Sequence, residues 1–151
     1  MSASRHARSL VVALLAGCVS GGLRGDAKYA IYAANAGAPV NSFHYNGSIN
    51  GWTSLGDAAI AVWTRPSEAW LLDLSGPCQN LPYATTIGVT STTNRVSARF
   101  DKVLVGHRGP GVQIPCHIQQ IRALDVKAVR EAERTARDAL GEPDQASATG
   151  T

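Results

Sequence analysis

From Val40 to Leu124 the chain runs in short apolar stretches cut by Gly, Pro, Asn, Asp and Ser, the punctuation of an antiparallel β domain. Ser42 to Tyr45 reads as a first strand turning at Asn46-Gly47, and Asn50-Gly51 marks a second turn just before Trp52. In Ala58 to Thr64, Ile60 and Val62 fall on one face and Trp63 on the other. After Arg65-Pro66-Ser67, the run Ala69 to Leu74 puts Trp70, Leu72 and Leu74 on one face and Asp73 on the other, so these two runs have hairpin spacing. Thr86 to Thr90 predicts another strand, with Gly88 suggesting a bulge or a close backbone approach. Thr92-Thr93-Asn94 predicts a turn. Val96, Ala98 and Phe100 then alternate with Arg95, Ser97 and Arg99, and Lys102 to Val105 continues beyond Asp101. Gly106 to Gly111 reads as an exposed loop. Val112, Ile114, Cys116 and Ile118 share one face of a last strand, part of which Pro115 assigns to an edge.

The flanks have a helical period. Asp26 is placed to cap a short helix through Ala36, with Tyr29, Tyr32, Ala33 and Ala36 on one face and Gly37 and Pro39 as its stop. Asp125 is placed to cap a second helix, Val126 to Leu140, closed by Gly141 and Pro143. Its apolar stripe of Val126, Val129, Ala132, Ala136 and Leu140 is thin, so it either lies lightly on the sheet or projects toward a partner. The fold expected is mainly β: one small antiparallel barrel or roll of six or seven strands with a short N-terminal and a C-terminal helix. Its expected core is Trp52, Ile60, Val62, Trp70, Leu72, Leu74, Ile87, Val89, Val96, Phe100, Val103, Val105, Ile114, Ile118 and Ile121.

The first residues follow a different logic. Arg5 and Arg8 precede the apolar run Leu10 to Leu15, and Leu15-Ala16-Gly17-Cys18 follows at once. Cations, a short greasy segment and small residues make an export signal, and the quartet ending in cysteine resembles the bacterial lipobox. The run is far short of the roughly 20 apolar residues a membrane-spanning helix needs. The chain therefore divides into a lipoprotein signal peptide (1–17), a tether lipidated with fatty acyl chains of the palmitate kind at Cys18 (18–25), a β domain with its short helix (26–124), a C-terminal helix (125–141) and a polar, disordered tail (142–151). Two or more acyl chains hold a protein firmly in a bilayer. Val19, rather than Asp, follows the cysteine, and by resemblance to the sorting rule of diderm bacteria this directs the protein to the outer membrane, facing the periplasm.

Charge adds little. Loss of Arg5 and Arg8 with the signal takes the net charge from +3 to +1, and with no basic stripe the chain is not expected to bind nucleic acid. With Cys18 committed to lipid, Cys78 and Cys116 are an even pair in an oxidising compartment, most simply a disulfide. No ligand spacing for zinc and no Cys-x-x-Cys appears, so neither metal nor cofactor is expected. His44, His107 and His117 read as surface or edge residues. Asp57, Asp73 and Asp101 could serve as paired acids only if the fold brought two together. There is no Gly-x-Ser-x-Gly elbow, and Gly106-His107-Arg108-Gly109-Pro110-Gly111 lacks the Lys-Ser/Thr of a phosphate loop. Trp63 has two readings: a ligand or partner contact if it faces outward, or part of a second, smaller core under a helix.

The order of landmarks from Gly51 onward also resembles a known family. Gly51-Trp52, Leu55-Gly56-Asp57, Val62-Trp63-Thr64, Ala69-Trp70-Leu71-Leu72-Asp73-Leu74 and Pro77-Cys78-Gln79-Asn80-Leu81 come first. Ile87-Gly88-Val89-Thr90-Ser91, Arg99-Phe100-Asp101-Lys102-Val103 and Cys116-His117-Ile118-Gln119-Gln120-Ile121-Arg122 follow. The pattern is similar to that of a family of small exported bacterial proteins, domain of unknown function 6491, over about two thirds of the chain. The paired cysteines and the Arg-Phe-Asp-x-Val segment are its most specific parts. The resemblance implies the disulfide and a single β domain, and carries no catalytic residues. The function expected is that of an envelope lipoprotein acting as a non-enzymatic binding or assembly module, with an envelope protein or small ligand as partner. The alternative is a periplasmic hydrolase-like enzyme with an acid or acid-and-His site, and a third reading gives Cys78 and Cys116 a metal or redox role.

Overall fold

Residues 24–106 and 113–141 are described by a computed structural model. The lipobox with Cys18, the tether up to residue 23, His107 with the rest of the glycine-rich loop, Val112, and the tail from residue 142 with Pro143 lie outside the described residues.

Among the described residues, helix α1 (Gly25–Ala34) leads into strands β1 (Ala36–Val40), β2 (Ser42–His44), β3 (Gly51–Ser54), β4 (Ala59–Arg65), β5 (Glu68–Leu74), β6 (Thr86–Val89), β7 (Arg95–Ser97), β8 (Lys102–Gly106) and β9 (Gln113–Leu124), and the chain closes with helix α2 (Val126–Ala139). The strands in order β3-β4-β5-β9-β8-β6, with β1 on β9, curl into a nearly closed antiparallel barrel, and β2 pairs with β7 separately. The mainly β barrel with a helix at each end is thus present. Among the described residues the barrel sheet has seven strands, in line with the six or seven expected, and β2 and β7 add a two-stranded ribbon of their own. α1 stops at Ala34, short of the expected Ala36, because Ala36–Val40 pairs with β9 as β1.

β9 organises the sheet. Residues 113–117 pair with β8 and residues 118–124 with β5. Pro115, which lacks a ladder donor, lies in the half bonded to β8 alone among the described strands. Leu74 opposes Ile118 while Asp73 opposes Gln120, so Gln119 is an extra residue. Such a bulge bends the strand and shifts the side-chain alternation by one. Ile118 and Ile121, three apart, consequently both reach the interior. The bulge suspected at Gly88 does not form there: β6 pairs with β8 in continuous register.

β4 and β5 are buried on both faces, which lets one sheet support two cores. Ile60, Val62, Leu72 and Leu74 point into the barrel with Phe43, Val96, Val103, Val105, Ile118 and Ile121. Burying each such aliphatic side chain contributes roughly 1.5–3 kcal/mol before entropy is counted. On the opposite face Ala59, Ala61, Trp63 and Leu71 meet Tyr32 of α1 and Val129 of α2. The Tyr32 hydroxyl donates to Glu133 at 2.9 Å, tying the helices together. α2 therefore lies on the sheet and on α1, and its Asp125 cap accepts from the Ala128 amide at 3.1 Å as its sequence signature predicts.

α1 starts differently from its expected form. Arg24 occupies the cap position, and Asp26 sits within the first turn. Gly25, assigned to the tether by its composition, is the first helical residue and packs on the turn after β3: a Cβ there would stand 2.7 Å from the Gly56 backbone. Cys78 and Cys116 form a disulfide with Cα atoms 5.8 Å apart, which fastens the loop after β5 to β9. None of the described helices is long and apolar enough to cross a membrane.

Candidate functional site

Alternation predicts that β7 should run on to Phe100 and bury it. Instead the strand stops at Ser97, and Phe100 stands 82% exposed. The reason is Asp101, which is only 6% exposed. Its carboxylate accepts the Ser97 amide at 2.7 Å and the Thr90 hydroxyl at 2.7 Å. Thr90 Oγ1 in turn accepts the Lys102 amide at 2.9 Å. A buried carboxylate is tolerated only when its lone pairs are filled, and here filling them folds residues 97–101 into a tight turn.

The backbone of that turn is held from several sides. The Arg99 amide donates to the Ile118 carbonyl at 2.7 Å, the Asp101 amide to the Ser97 carbonyl at 2.9 Å, and the Ile118 amide to the Asp101 carbonyl at 3.1 Å. The Ala98 amide donates to the Asn41 carbonyl at 2.9 Å. Arg99 adopts a left-handed conformation with φ 71°, which costs a non-glycine residue of order 1–3 kcal/mol and persists only where the surroundings over-determine it. The turn presents Arg99 and Phe100 outward on a rigid base.

A groove of about 580 Å³ lies beside it. One wall is the β1–β2 junction with Pro39, Val40 and Asn41. The other is the 97–100 turn, and the floor carries Gln119 and Gln120 from the β9 bulge. Asp73 closes one end. Arg122 Nη2 donates to Asp73 Oδ2 at 3.0 Å and Tyr29 donates to Asp73 Oδ1 at 2.7 Å, so this carboxylate is engaged in pinning α1 to the sheet. Its hydrogen bond, then burial, pushes the Tyr29 phenol above its ordinary value.

The other candidate residues fall as follows. Trp63 is half-buried in the core beneath the helices, edge-on to Tyr32 with ring centroids 6.2 Å apart. Trp52 and Trp70 pack against the barrel core, Trp70 stacked on Phe43 at 5.0 Å. Asp57 and Asp73 do meet, with Asp26 and Tyr29, around a second groove of about 410 Å³, whereas Asp101 is sealed beneath its turn. His44 and His117 are exposed on β2 and β9. Among the described residues no three His, Cys, Asp or Glu side chains gather to hold a metal ion.

Arg99 and Phe100 are the surface feature that alternation hides. The signal for them is the Arg-Phe-Asp-x-Val segment itself, in which a polar Asp101 interrupts an apolar strand pattern at the point where the turn forms.

Fold and site together define a small, disulfide-closed antiparallel β domain that presents an aromatic turn beside an amide-lined groove. A family model described as a family of unknown function (DUF6491) matches residues 1–139, and the chain belongs to that family. No curated protein and no solved structure matches the chain.

Proposed function

We propose that the protein is a cell-envelope lipoprotein, anchored through acyl chains on Cys18, whose β domain serves as a non-enzymatic binding or assembly module facing the periplasm from the outer membrane. The Leu15-Ala16-Gly17-Cys18 quartet with Val19 after it supports the anchor and its destination. The observation that carries the binding role is Phe100, a large apolar side chain kept 82% exposed by a buried carboxylate and a strained backbone. Exposed aromatic residues on rigid supports are where binding energy concentrates. Trp63 is the weaker contact, because its ring is partly spent on Tyr32.

Peptide mass spectrometry of the membrane fraction tests the anchor. A mature N-terminus at Cys18 carrying diacylglyceryl supports it, and an unmodified Cys18 in a soluble fraction overturns it. Protection of Phe100 in the living cell tests the contact.

The hydrolase-like alternative rests on one observation, the shared groove of Asp26, Asp57 and Asp73. An acid pair for hydrolysis needs one carboxylate free to move a proton; Asp73 is held by Arg122 and Tyr29, which leaves that role to Asp57 or Asp26. Hydrolysis of an envelope polymer that is lost in Asp57→Asn would establish this alternative.

A further inference from the structure

We propose that the groove beside Phe100 is a saccharide site; the inference rests on the binding role proposed above and names its ligand class. A pyranose ring presents an apolar C–H face and a rim of hydroxyls, each both donor and acceptor. It asks for a flat apolar platform next to side chains rich in hydrogen-bond donors and acceptors.

Phe100 supplies the platform. Its ring cannot retreat into the core, because Arg99 and Asp101 on either side are fixed by the Ile118 and Ser97 backbone. The carboxamides of Asn41, Gln119 and Gln120 supply the rim. All three line the groove, and none makes a side-chain hydrogen bond among the described residues. A carboxamide offers two donors and an acceptor with two lone pairs, so it can both donate to and accept from vicinal hydroxyls. Gln119 is there because it is the extra residue of the β9 bulge, and bulges commonly re-aim a side chain at a site. The volume of about 580 Å³ falls in the usual range for small-ligand sites, about 300–1,000 Å³.

The 97–101 turn gives no edge for an extended peptide. Strand addition needs a row of unpaired backbone groups, whereas the amides of Ala98, Arg99, Phe100 and Asp101 are all already donated to carbonyls of the protein. A helix would need a broad apolar channel, and apart from Phe100 the groove offers only Pro39, Val40 and Ala98.

The test is binding of the full chain, in detergent, to an array of soluble bacterial envelope saccharides: peptidoglycan fragments, O-antigens and capsular polysaccharides. The expected result is at least one saccharide whose binding falls about tenfold in both Phe100→Ala and Gln119→Ala, as the loss of one stacking contact or one good hydrogen-bonding group implies, and is unchanged in Tyr83→Ala. The absence of any saccharide whose binding depends on Phe100 overturns the proposal. If Phe100 is nonetheless shielded in cells, only the ligand class fails and the binding role stands. If Phe100 is unshielded as well, both fail.

Discussion

The carboxylate of Asp101 and the amide of Ser97 lie 2.7 Å apart, and this contact turns a strand that alternation would bury into a turn that displays an aromatic ring. Replacing Asp101 with Ala strands the half-buried Ser97 amide and Thr90 hydroxyl without their partner. Leaving buried donors unsatisfied costs about 1–3 kcal/mol each, more where the lost partner was charged. Asp101→Ala is therefore expected to lower the unfolding free energy by about 2–4 kcal/mol in a urea titration, and Asp101→Asn by less, since the amide keeps one acceptor. An Asp101→Ala variant as stable as the parent would show that the turn is held by its backbone alone.

Arg99 and Phe100 should be cheap to change for stability. Phe100→Ala removes a ring that faces water, so its unfolding free energy should stay within about 0.5 kcal/mol of the parent. Arg99→Gly removes the side-chain penalty of a left-handed backbone and should stabilise by about 0.5–1 kcal/mol. Calorimetric melting of both variants checks this. A large loss in Phe100→Ala would mean that the ring is buried.

The disulfide closes a separation of 38 residues. On the chain-entropy account a loop of that size contributes about 4 kcal/mol by restricting the unfolded chain, a large share of the roughly 5–15 kcal/mol that holds a domain together. The double change Cys78→Ser and Cys116→Ser should lower the denaturation midpoint accordingly. An unchanged midpoint would mean the reduced chain keeps the loop closed without the bond.

Alkaline pH should loosen the helices. Burial, reinforced by the hydrogen bond to Glu133, raises the Tyr32 phenol well above its ordinary value of 10.0, and Tyr29 and Tyr45 are raised too. The folded state therefore holds these protons more tightly than the unfolded state does. The stabilisation is complete below pH 10 and is lost progressively as the pH rises above 10 toward the folded-state values. Phenolate absorbance should show Tyr32 ionising only as the protein unfolds, and Tyr32→Phe should flatten the loss. Free ionisation of Tyr32 near pH 10 in the folded protein would contradict the buried contact with Glu133.

Local signals read correctly wherever a single element settles the outcome. The β4–β5 hairpin follows from two alternating runs about a Pro-Ser turn, and the Asp125 cap from a side chain three residues from its donor. The placement of Ile60 and Val62 opposite Trp63 is a matter of period alone. What the sequence hides depends on distant partners. Phe100 fits the alternation of Val96 and Ala98, and the partners that divert it include Thr90, eleven residues before Asp101, and the backbone of Ile118, far beyond it. The bulge falls at Gln119, one residue past the point where β9 passes from β8 to β5, and no feature of Gln119 announces it. Gly25 reads as linker until Gly56 is found against it. The groove is assembled from three such places, so its residues stayed scattered along the chain.

The most direct measurement is hydroxyl-radical footprinting of Phe100 and Tyr83, which are 82% and 74% exposed in the isolated chain. Both rings should be oxidised readily in the purified protein. In intact cells the account predicts that Phe100 becomes protected while Tyr83 does not. Equal oxidation of the two rings in cells would contradict a binding role for the turn that Asp101 builds.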